Sequence, residues 1–316
     1  MRLVAACAAV AVVAGAAAFV LGRRAVTPQA PPPTGRFTIV DQSPVRPQGP
    51  GLSVSPDGRY IAYQTGSGMQ PRQVRLRRLD SAEAQVLTGV PAVAETFWAP
   101  DSRRLAFFTE GDGAISVMDV PGGAPQRVAS VPARQFFGAS WSRRDELLVG
   151  TEKGIFRLGL SGGEVTLVSA RAADQEYWRG APSYLPDGER FIYSRGLLTT
   201  GTNAAGASST ETRVATRDGK DIATLGNGLN GAFYAAGYVF YGAAGAGMAR
   251  PFDAATLTFT GPAVEIGRAV PQDDRQGWVA MDASETGVVV MRPSVGGQND
   301  MRFEWFDRSG ASGGSL

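Results

Sequence analysis

Residues 53–63 read "SVSPDGRYIAY", and two later stretches repeat the pattern: "FWAPDSRRLAFF" (residues 97–108) and "SYLPDGERFIYS" (residues 183–194). In each copy a short apolar run is followed by a Pro-Asp turn and then by a second run in which large apolar and small residues alternate. Proline presets φ at the second position of a turn, and aspartate accepts hydrogen bonds from nearby backbone N–H groups. The pattern therefore predicts a β-hairpin that recurs along the chain.

The turn residues are interpreted as structural because they recur with the repeat. The third copy keeps the Pro-Asp-Gly of the first, whereas Ser102 replaces the glycine in the second, so that turn must tolerate a residue other than glycine. Each aspartate is expected to serve its own turn. The residues assigned this role are Pro56, Asp57, Gly58, Pro100, Asp101, Pro186, Asp187 and Gly188.

Weaker copies of the hairpin continue the series at residues 140–150, 233–242 and 279–291. The second strands align at Ile61, Leu105, Leu147, Phe191, Val239 and Val288, with spacings of 42 to 49 residues. A third apolar run follows every hairpin, and a fourth follows five of the six. Four strands in each period of about 40 to 50 residues are typical of a propeller blade. The sequence thus predicts an all-β, six-bladed β-propeller of four-stranded blades over residues 36–316. Trp98, Trp141 and Tyr184 are expected to pack between neighbouring blades.

The N-terminus has a different composition. Residues 3–21 are uncharged and apolar, and as a helix they would span about 28 Å, close to one hydrocarbon thickness. Residues 1–25 are predicted to be a single transmembrane anchor. The alternative is a signal peptide cleaved at the small residues around 16–18. Cys7, the only cysteine, is interpreted as a small apolar residue of this helix, and the Pro-rich residues 26–35 as a spacer.

Residues 36–41, "RFTIVD", are predicted to be a lone strand that completes the sixth blade. That blade has three predicted strands and lacks an outer one, so pairing of residues 36–41 with the strand around residues 303–307 would close the ring.

The chain contains no histidine, which removes Ser-His-Asp and Cys-His nucleophile systems and the commonest zinc ligand. Lys153 and Lys220 are the only lysines, and neither lies in a phosphate-binding loop motif. No cofactor and no metal are expected. The net charge of +2 is too small to indicate nucleic-acid binding. Asp273 and Asp274 are interpreted as solvated loop residues rather than a catalytic pair.

The hairpin copies resemble the repeats of TolB-type, WD-repeat-like bacterial propellers. The order of features, with "ARPFDAATLTFTGPAVEIG" (residues 249–267) and "FEWFDRSG" (residues 303–310), also resembles the extracytoplasmic half of bacterial eukaryotic-type serine/threonine protein kinases. In those relatives a kinase domain precedes the anchor and further repeats follow. The sequence before Leu3 carries no kinase motif, so the resemblance implies no kinase activity here, and the end at Leu316 is consistent with a truncated propeller.

The expected function is non-catalytic binding of a protein or small ligand by a sensor or scaffold. The propeller would be anchored through residues 3–21 on the periplasmic side of a bacterial inner membrane. Two alternatives remain open: an enzyme that uses carboxylates in the channel, and a regulatory propeller of a separate kinase or peptidase polypeptide. Carboxylates that converge on the channel would favour the enzyme, and apolar or aromatic residues there would favour binding.

Two segments are candidate binding loops that would emerge on one face and frame one site; the alternative for the first is a disordered insertion without a binding role. They are residues 196–212, poor in charge and free of aromatic residues, and residues 268–278, which end at a tryptophan. The candidate binding residues are Gly196, Thr200, Asn203, Thr212, Asp273, Asp274 and Trp278.

Overall fold

The computed structural model describes residues 51–65, 73–90, 95–109, 111–162, 164–198, 209–273 and 276–292. Every regular element in these ranges is a β-strand, which confirms the all-β prediction. Within the same ranges there is no helix long and apolar enough to cross a membrane. The predicted anchor, the spacer and the lone strand at residues 36–41 lie outside the described residues.

The strands fall into successive antiparallel groups along the chain. The first two groups are β1 (Leu52–Val54), β2 (Tyr60–Thr65), β3 (Gln73–Arg78), β4 (Ala84–Val86), and β5 (Thr96–Trp98), β6 (Arg104–Thr109), β7 (Ala114–Asp119), β8 (Gln126–Ser130). The next two are β9 (Phe136–Trp141), β10 (Glu146–Thr151), β11 (Gly154–Gly159), β12 (Thr166–Ala170), and β13 (Glu176–Tyr184), β14 (Arg190–Leu197), β15 (Ser209–Thr216), β16 (Asp221–Asn227). The remainder are β17 (Asn230–Ala235), β18 (Tyr238–Ala243), β19 (Ala246–Asp253), β20 (Thr258–Phe259), β21 (Val264–Gly267), β22 (Gln272–Asp273), β23 (Trp278–Val279), β24 (Met281–Ala283) and β25 (Val289–Met291).

Each of the first four repeats forms four strands in sequence order, as the hairpin pattern predicts, and the fifth has an additional two-residue strand. Strands β1–β4 and β5–β8 are separate four-stranded sheets, whereas β9–β12 and β13–β16 join into one sheet through the pair Thr151↔Arg179 of β10 and β13. In the fifth repeat β17, β18 and β19 are followed by β21, which pairs with β19, and the two-residue β20 pairs with the end of β19. The last repeat is described only as the hairpin β24–β25, and its predicted third strand lies beyond the described residues.

Two segments predicted to be loops are in part strands. Residues 268–278 contain the hairpin β22–β23, in which the N–H of Gly277 donates to the carbonyl of Asp273 at 2.8 Å. In the other segment β14 and β15 stay paired as far as Leu197↔Ser209, so Gly196 and Thr212 lie inside strands. The β-branched side chain of Thr212 is fully buried and hydrogen-bonds to Ser194 Oγ at 3.1 Å, which explains why a Ser/Thr-rich stretch extends the strand here.

The hairpin turns share one backbone geometry. In the first repeat the N–H of Gly58 donates to the carbonyl of Ser55 at 2.8 Å, and Gly58 has a φ of 72°. Its counterparts Ser102, Asp145 and Gly188 have φ values of 59°, 61° and 66°. This left-handed conformation is strained for residues other than glycine, and asparagine, aspartate and serine side chains relieve it best by local hydrogen bonds. Ser102 therefore occupies the position as predicted for a turn that tolerates a residue with a side chain.

The turn aspartates bind their own turns. Asp57 Oδ1 accepts from the N–H of Arg59 at 3.0 Å, and Asp101 Oδ1 from the N–H of Arg103 at 2.8 Å. Asp187 Oδ1 accepts from the backbone N–H groups of Glu189 and Arg190, at 2.9 and 3.1 Å. The prolines precede these aspartates and start the turns.

The apolar core of the described chain is divided into clusters that lie between successive sheets. Trp98 packs with β2, β3 and β6 residues, between the first and second sheets. Trp141 packs with residues of β5–β7 and β10–β11, and Tyr184 with residues of β10, β11 and β14. These contacts confirm that the three aromatic residues pack between neighbouring sheets, where burial of their large apolar surfaces stabilises the assembly.

The first strands of the sheets contact one another in turn, from β1 to β5, β9, β13 and β17, then the β22–β23 hairpin, while β24 contacts β1. The contact between the last and first sheets includes an apolar cluster of β1, β2 and β25 residues. It also includes two hydrogen bonds, Val54 N–H to Asp282 Oδ2 at 2.8 Å and Glu285 N–H to the carbonyl of Pro56 at 3.0 Å. The described ends of the ring thus meet without a shared strand, and the predicted pairing of residues 36–41 with 303–307 lies outside the described residues.

Candidate functional site

A cavity of about 300 Å³ lies where the first strands of the sheets converge. Its walls contain residues of β1, β5, β9, β13, β17 and β24, together with the β22–β23 hairpin. The volume is at the small end of the range for ligand sites. Aromatic side chains are prominent in the lining: Phe97, Trp98, Phe137, Trp141, Tyr184, Phe233, Tyr234 and Trp278.

One register position recurs in all of these first strands, and we call it the inner-edge position. Its residues pair with equivalent residues of the second strands, as in Ser53↔Ala62 and Asp282↔Val290. The full set is Ser53, Phe97, Ser140, Ser183, Phe233 and Asp282.

Three of the four polar side chains at the inner-edge position bind the backbone of the following sheet, whereas Ser53 Oγ bonds Thr96 Oγ1 at 3.0 Å. Ser140 Oγ accepts from the N–H of Tyr184 at 3.0 Å, and Ser183 Oγ accepts from the N–H of Tyr234 at 3.0 Å. Asp282 makes the same contact with Val54. The first strand of each sheet has one edge without a neighbouring strand, so these side chains satisfy backbone donors that strand pairing leaves over.

Asp282 is the acidic member of the inner-edge set. Its Oδ1 accepts from the N–H of Ala283 at 2.9 Å, so each carboxylate oxygen receives one backbone hydrogen bond. Asp282 is half-buried and borders the cavity, and the neighbouring protein desolvates its carboxyl group. Desolvation raises the pKa of Asp282 to about 7, against the opposing effect of the two N–H donors.

Three further charged residues border the cavity, and they are displaced from Asp282 along the strand direction. In the shared register Glu95 precedes the inner-edge position of its sheet by two residues, and Glu285 follows Asp282 by three. At about 3.3 Å per residue these two carboxylates are separated by roughly 16 Å along the strand direction. Exposed Arg143 is the cationic residue of the lining. The carboxylates are therefore spread along the cavity instead of meeting at one point.

Both predicted binding segments contact Trp178, a residue that belongs to neither of them. Trp178 is fully buried, and a side chain at Gly196 or at Gly277 would overlap its indole, with ideal Cβ positions 2.1 Å from its atoms. Gly196 belongs to the first predicted segment and Gly277 to the second. Half-buried Trp278, next to Gly277, borders the cavity, and its Nε1 donates to Gln276 Oε1 at 3.3 Å.

The remaining candidate residues have other positions. Gly196 and Thr212 are buried within paired strands, and Asp273 lies in β22, where its Oδ1 accepts from the N–H of Gln276 at 3.3 Å. Thr200, Asn203 and Asp274 lie outside the described residues, so their role stays a prediction. Among the turn residues, Pro56, Pro100, Pro186 and Gly188 border the cavity at the end where the hairpin turns lie.

A buried ion-pair network in β13–β16 was not predicted from the sequence. The carboxylate of fully buried Glu176 accepts from Arg179 Nη2 at 2.6 Å and from Arg195 Nη1 at 2.7 Å, and Arg195 also bonds Glu211 at 2.5 Å. Burial alone would raise the pKa of Glu176, but the hydrogen bonds from the two arginines outweigh it and lower the pKa. The network fixes the register of three strands and holds its charges in matched pairs, which is a structural role.

Asp282 was also missed, although the sequence carries a signal for it. "DASETG" (residues 282–287) aligns with "SVSPDG" of the first repeat, so Asp282 occupies the position equivalent to Ser53. Within the described part of the chain, no three side chains of the His, Cys, Asp and Glu types are grouped closely enough to hold a metal ion.

Solved structures with a similar architecture identify the class of fold. TolB from Acinetobacter baumannii superimposes with a TM-score of 0.53 and 14% identity, over 80% of this chain and 58% of that chain. A structural genomics protein of unknown function from Bacteroides thetaiotaomicron superimposes with a TM-score of 0.56 and 14% identity, over 86% of this chain and 71% of that chain. The protein thus has a β-propeller fold similar to that of TolB, as the hairpin repeats predict.

These likenesses concern the fold alone, because the identity is low. The chain spans 58% of the length of the Acinetobacter baumannii TolB chain. No protein-family model matches the sequence, and no curated protein matches it either.

Proposed function

We propose that the protein is a six-bladed propeller that binds a partner protein or small ligand at its central cavity without catalysing a reaction. The count of six is supported by the six first strands that border the cavity, and by apolar clusters that lie between each successive pair of sheets, including the last and first. The propeller would be held at a bacterial inner membrane by residues 3–21, with the cavity on the periplasmic side.

The aromatic lining of the cavity is the observation that carries the binding proposal. Phe137, Tyr234 and Trp278 are half-buried, so part of each ring remains available to a ligand. Half-buried aromatic residues in a concave site supply large apolar contact area with little loss of conformational entropy.

The proposal is tested by comparing variants of the full-length chain in detergent-solubilised membranes. Phe137→Ala and Trp278→Ala remove aromatic surface at the cavity, and Phe259→Ala is the matched control, since this half-buried ring lies on β20 away from the cavity. A partner or ligand recovered with the wild-type chain should be reduced by roughly tenfold with either cavity variant, because a buried aromatic contact contributes about 1.5–3 kcal/mol. Recovery should be unchanged with Phe259→Ala. Equal recovery with all three variants would place the binding site elsewhere.

The alternatives that the sequence left open stay predictions. A catalytic role for channel carboxylates would require a second ionisable group close to Asp282. A role as the regulatory propeller of a separate kinase or peptidase would appear as co-purification of that polypeptide in the same experiment, lost with the cavity variants.

A further inference from the structure

We infer that the central cavity takes the cationic group of its ligand, an ammonium or guanidinium, against the carboxylate of Asp282. The inference rests on the proposed binding function and specifies the chemistry of the ligand. The same chemistry is presented by a small organic amine and by a lysine or arginine side chain of a partner, so the experiment below includes both sources.

The structural contact of Asp282 does not require a carboxylate. Ser140 and Ser183 occupy the same inner-edge position in other sheets and accept the equivalent backbone N–H of the next sheet at 3.0 Å. A neutral hydroxyl therefore satisfies this contact elsewhere in the ring. An acid at a desolvated inner edge is unfavourable unless a cation compensates it, so its presence points to a positively charged group that arrives from the cavity.

The carboxylate of Asp282 retains acceptor capacity. Oδ2 receives the N–H of Val54 at 2.8 Å and Oδ1 receives the N–H of Ala283 at 2.9 Å. Two carboxylate oxygens offer about four lone-pair sites, so about two remain for an incoming donor. Because Asp282 borders the cavity and is only half-buried, a donor can reach it from that side.

The charge and aromatic content of the cavity favour the same class of ligand. Its charged lining residues are Asp282, Glu95 and Glu285 against Arg143, an excess of negative charge in a chain whose net charge is +2. Aromatic faces attract cations through their quadrupoles, and half-buried Tyr234 lines the cavity on the neighbouring sheet. Without a cation beside it, desolvation raises the pKa of Asp282 to about 7. A bound cation would lower this pKa, because it favours the charged carboxylate.

The test uses two pairs of probes with the full chain in detergent at pH 8. Phenethylammonium is compared with neutral 2-phenylethanol, and a capped Gly-Lys-Gly-Gly peptide with the same peptide acetylated on its lysine. Binding is followed by calorimetry and by tryptophan fluorescence. At least one cationic probe should bind saturably, and at least tenfold more tightly than its neutral counterpart. Preference confined to the amine identifies a small-molecule ligand, and preference that includes the peptide identifies a partner side chain.

Variants connect the preference to Asp282. Asp282→Ser places at this position the residue that three other sheets carry, and should reduce cation affinity at least tenfold while leaving the neutral probes unchanged. Asp282→Asn is the second variant if the serine form does not fold. Glu83→Gln, at an exposed residue outside the cavity lining, is the control with a change below threefold. Equal affinity for cationic and neutral probes, unchanged affinity in both Asp282 variants, or the absence of saturable binding by any probe would each overturn the inference. Loss of partner recovery with Phe137→Ala but not with Asp282→Ser would do so too, while leaving the proposed function intact.

Discussion

Gly58 and Gly188 occupy the same position of the same turn, and the structure predicts different costs for replacing them with alanine. Their φ values are 72° and 66°, so a Cβ introduces similar backbone strain at both, about 1–2 kcal/mol. At Gly188 the nearest atom to the new Cβ is Arg144 Nε at 3.7 Å, an ordinary contact. At Gly58 it would approach Thr286 Oγ1 to 2.6 Å and Val288 Cγ2 to 2.8 Å, both in the last sheet.

The magnitudes follow from these contacts. Gly188→Ala should lower the free energy of unfolding by about 1 kcal/mol, the strain alone. Gly58→Ala should lower it by about 2–4 kcal/mol, because overpacking adds roughly 1–3 kcal/mol to the strain. The difference between the two variants therefore measures the contact between the first and last sheets, with the turn strain cancelled.

Urea denaturation of both variants and the wild-type chain, followed by tryptophan fluorescence, gives the two differences. The comparison is valid where the dependence on urea is the same for all three chains. If Gly58→Ala costs no more than Gly188→Ala, within about 0.5 kcal/mol, the first sheet does not pack on the last as described, and the ring is not closed at this place.

Three further predictions concern single side chains. The pKa of Asp282 is about 7 in the folded chain and near 4 when unfolded, so the folded chain binds more protons between these values and stability should fall as the pH rises from about 4 to 7. Asp282→Ser should flatten this slope and be more stable by up to about 4 kcal/mol at pH 8, as pH-dependent urea midpoints would show. Glu176→Ala should lower the free energy of unfolding by about 3–5 kcal/mol, because it leaves two arginines buried without their partner. Asp80→Ala, at an exposed ion pair, should barely change the urea midpoint, and equal effects of the two variants would contradict the buried network. Ser183→Ala should cost about 1–2 kcal/mol, since the N–H of Tyr234 loses its acceptor, and a neutral result would show that water replaces the hydroxyl.

The hairpins of the first five repeats could be predicted from the sequence because their determinants are local. A Pro-Asp turn between apolar runs specifies a hairpin wherever it stands, and the aligned positions from Ile61 to Val239 all lie in second strands. The packing of Trp98 between two sheets followed from the same alignment, since a large aromatic residue at a repeated strand position has to be buried against a neighbour.

The bounds of the binding segments and the character of the site depended on contacts that composition does not reveal. A stretch rich in Gly, Ser and Thr reads as a loop, yet Thr212 is buried against the next sheet and continues a strand. Asp282 and Glu176 are ordinary acidic residues in the sequence. Their significance comes from what other strands place beside them: a backbone N–H of β1 in one case and two arginines in the other.

The join between β10 and β13 has a mechanical consequence. Here two neighbouring sheets are joined by backbone pairing at Thr151 and Arg179, and Gly150 and Gly180 allow their strands to approach Phe137 so closely that a Cβ at either would meet its atoms at 2.5 to 2.7 Å. Where the last sheet meets the first, the hydrogen bonds run instead through the side chain of Asp282 and one turn. The ring of sheets is therefore stiffer between β9 and β16 than at junctions that lack backbone pairing. Any widening of the cavity to admit a larger ligand would therefore fall on the junctions that lack such backbone pairing, among them the one between the last and first sheets.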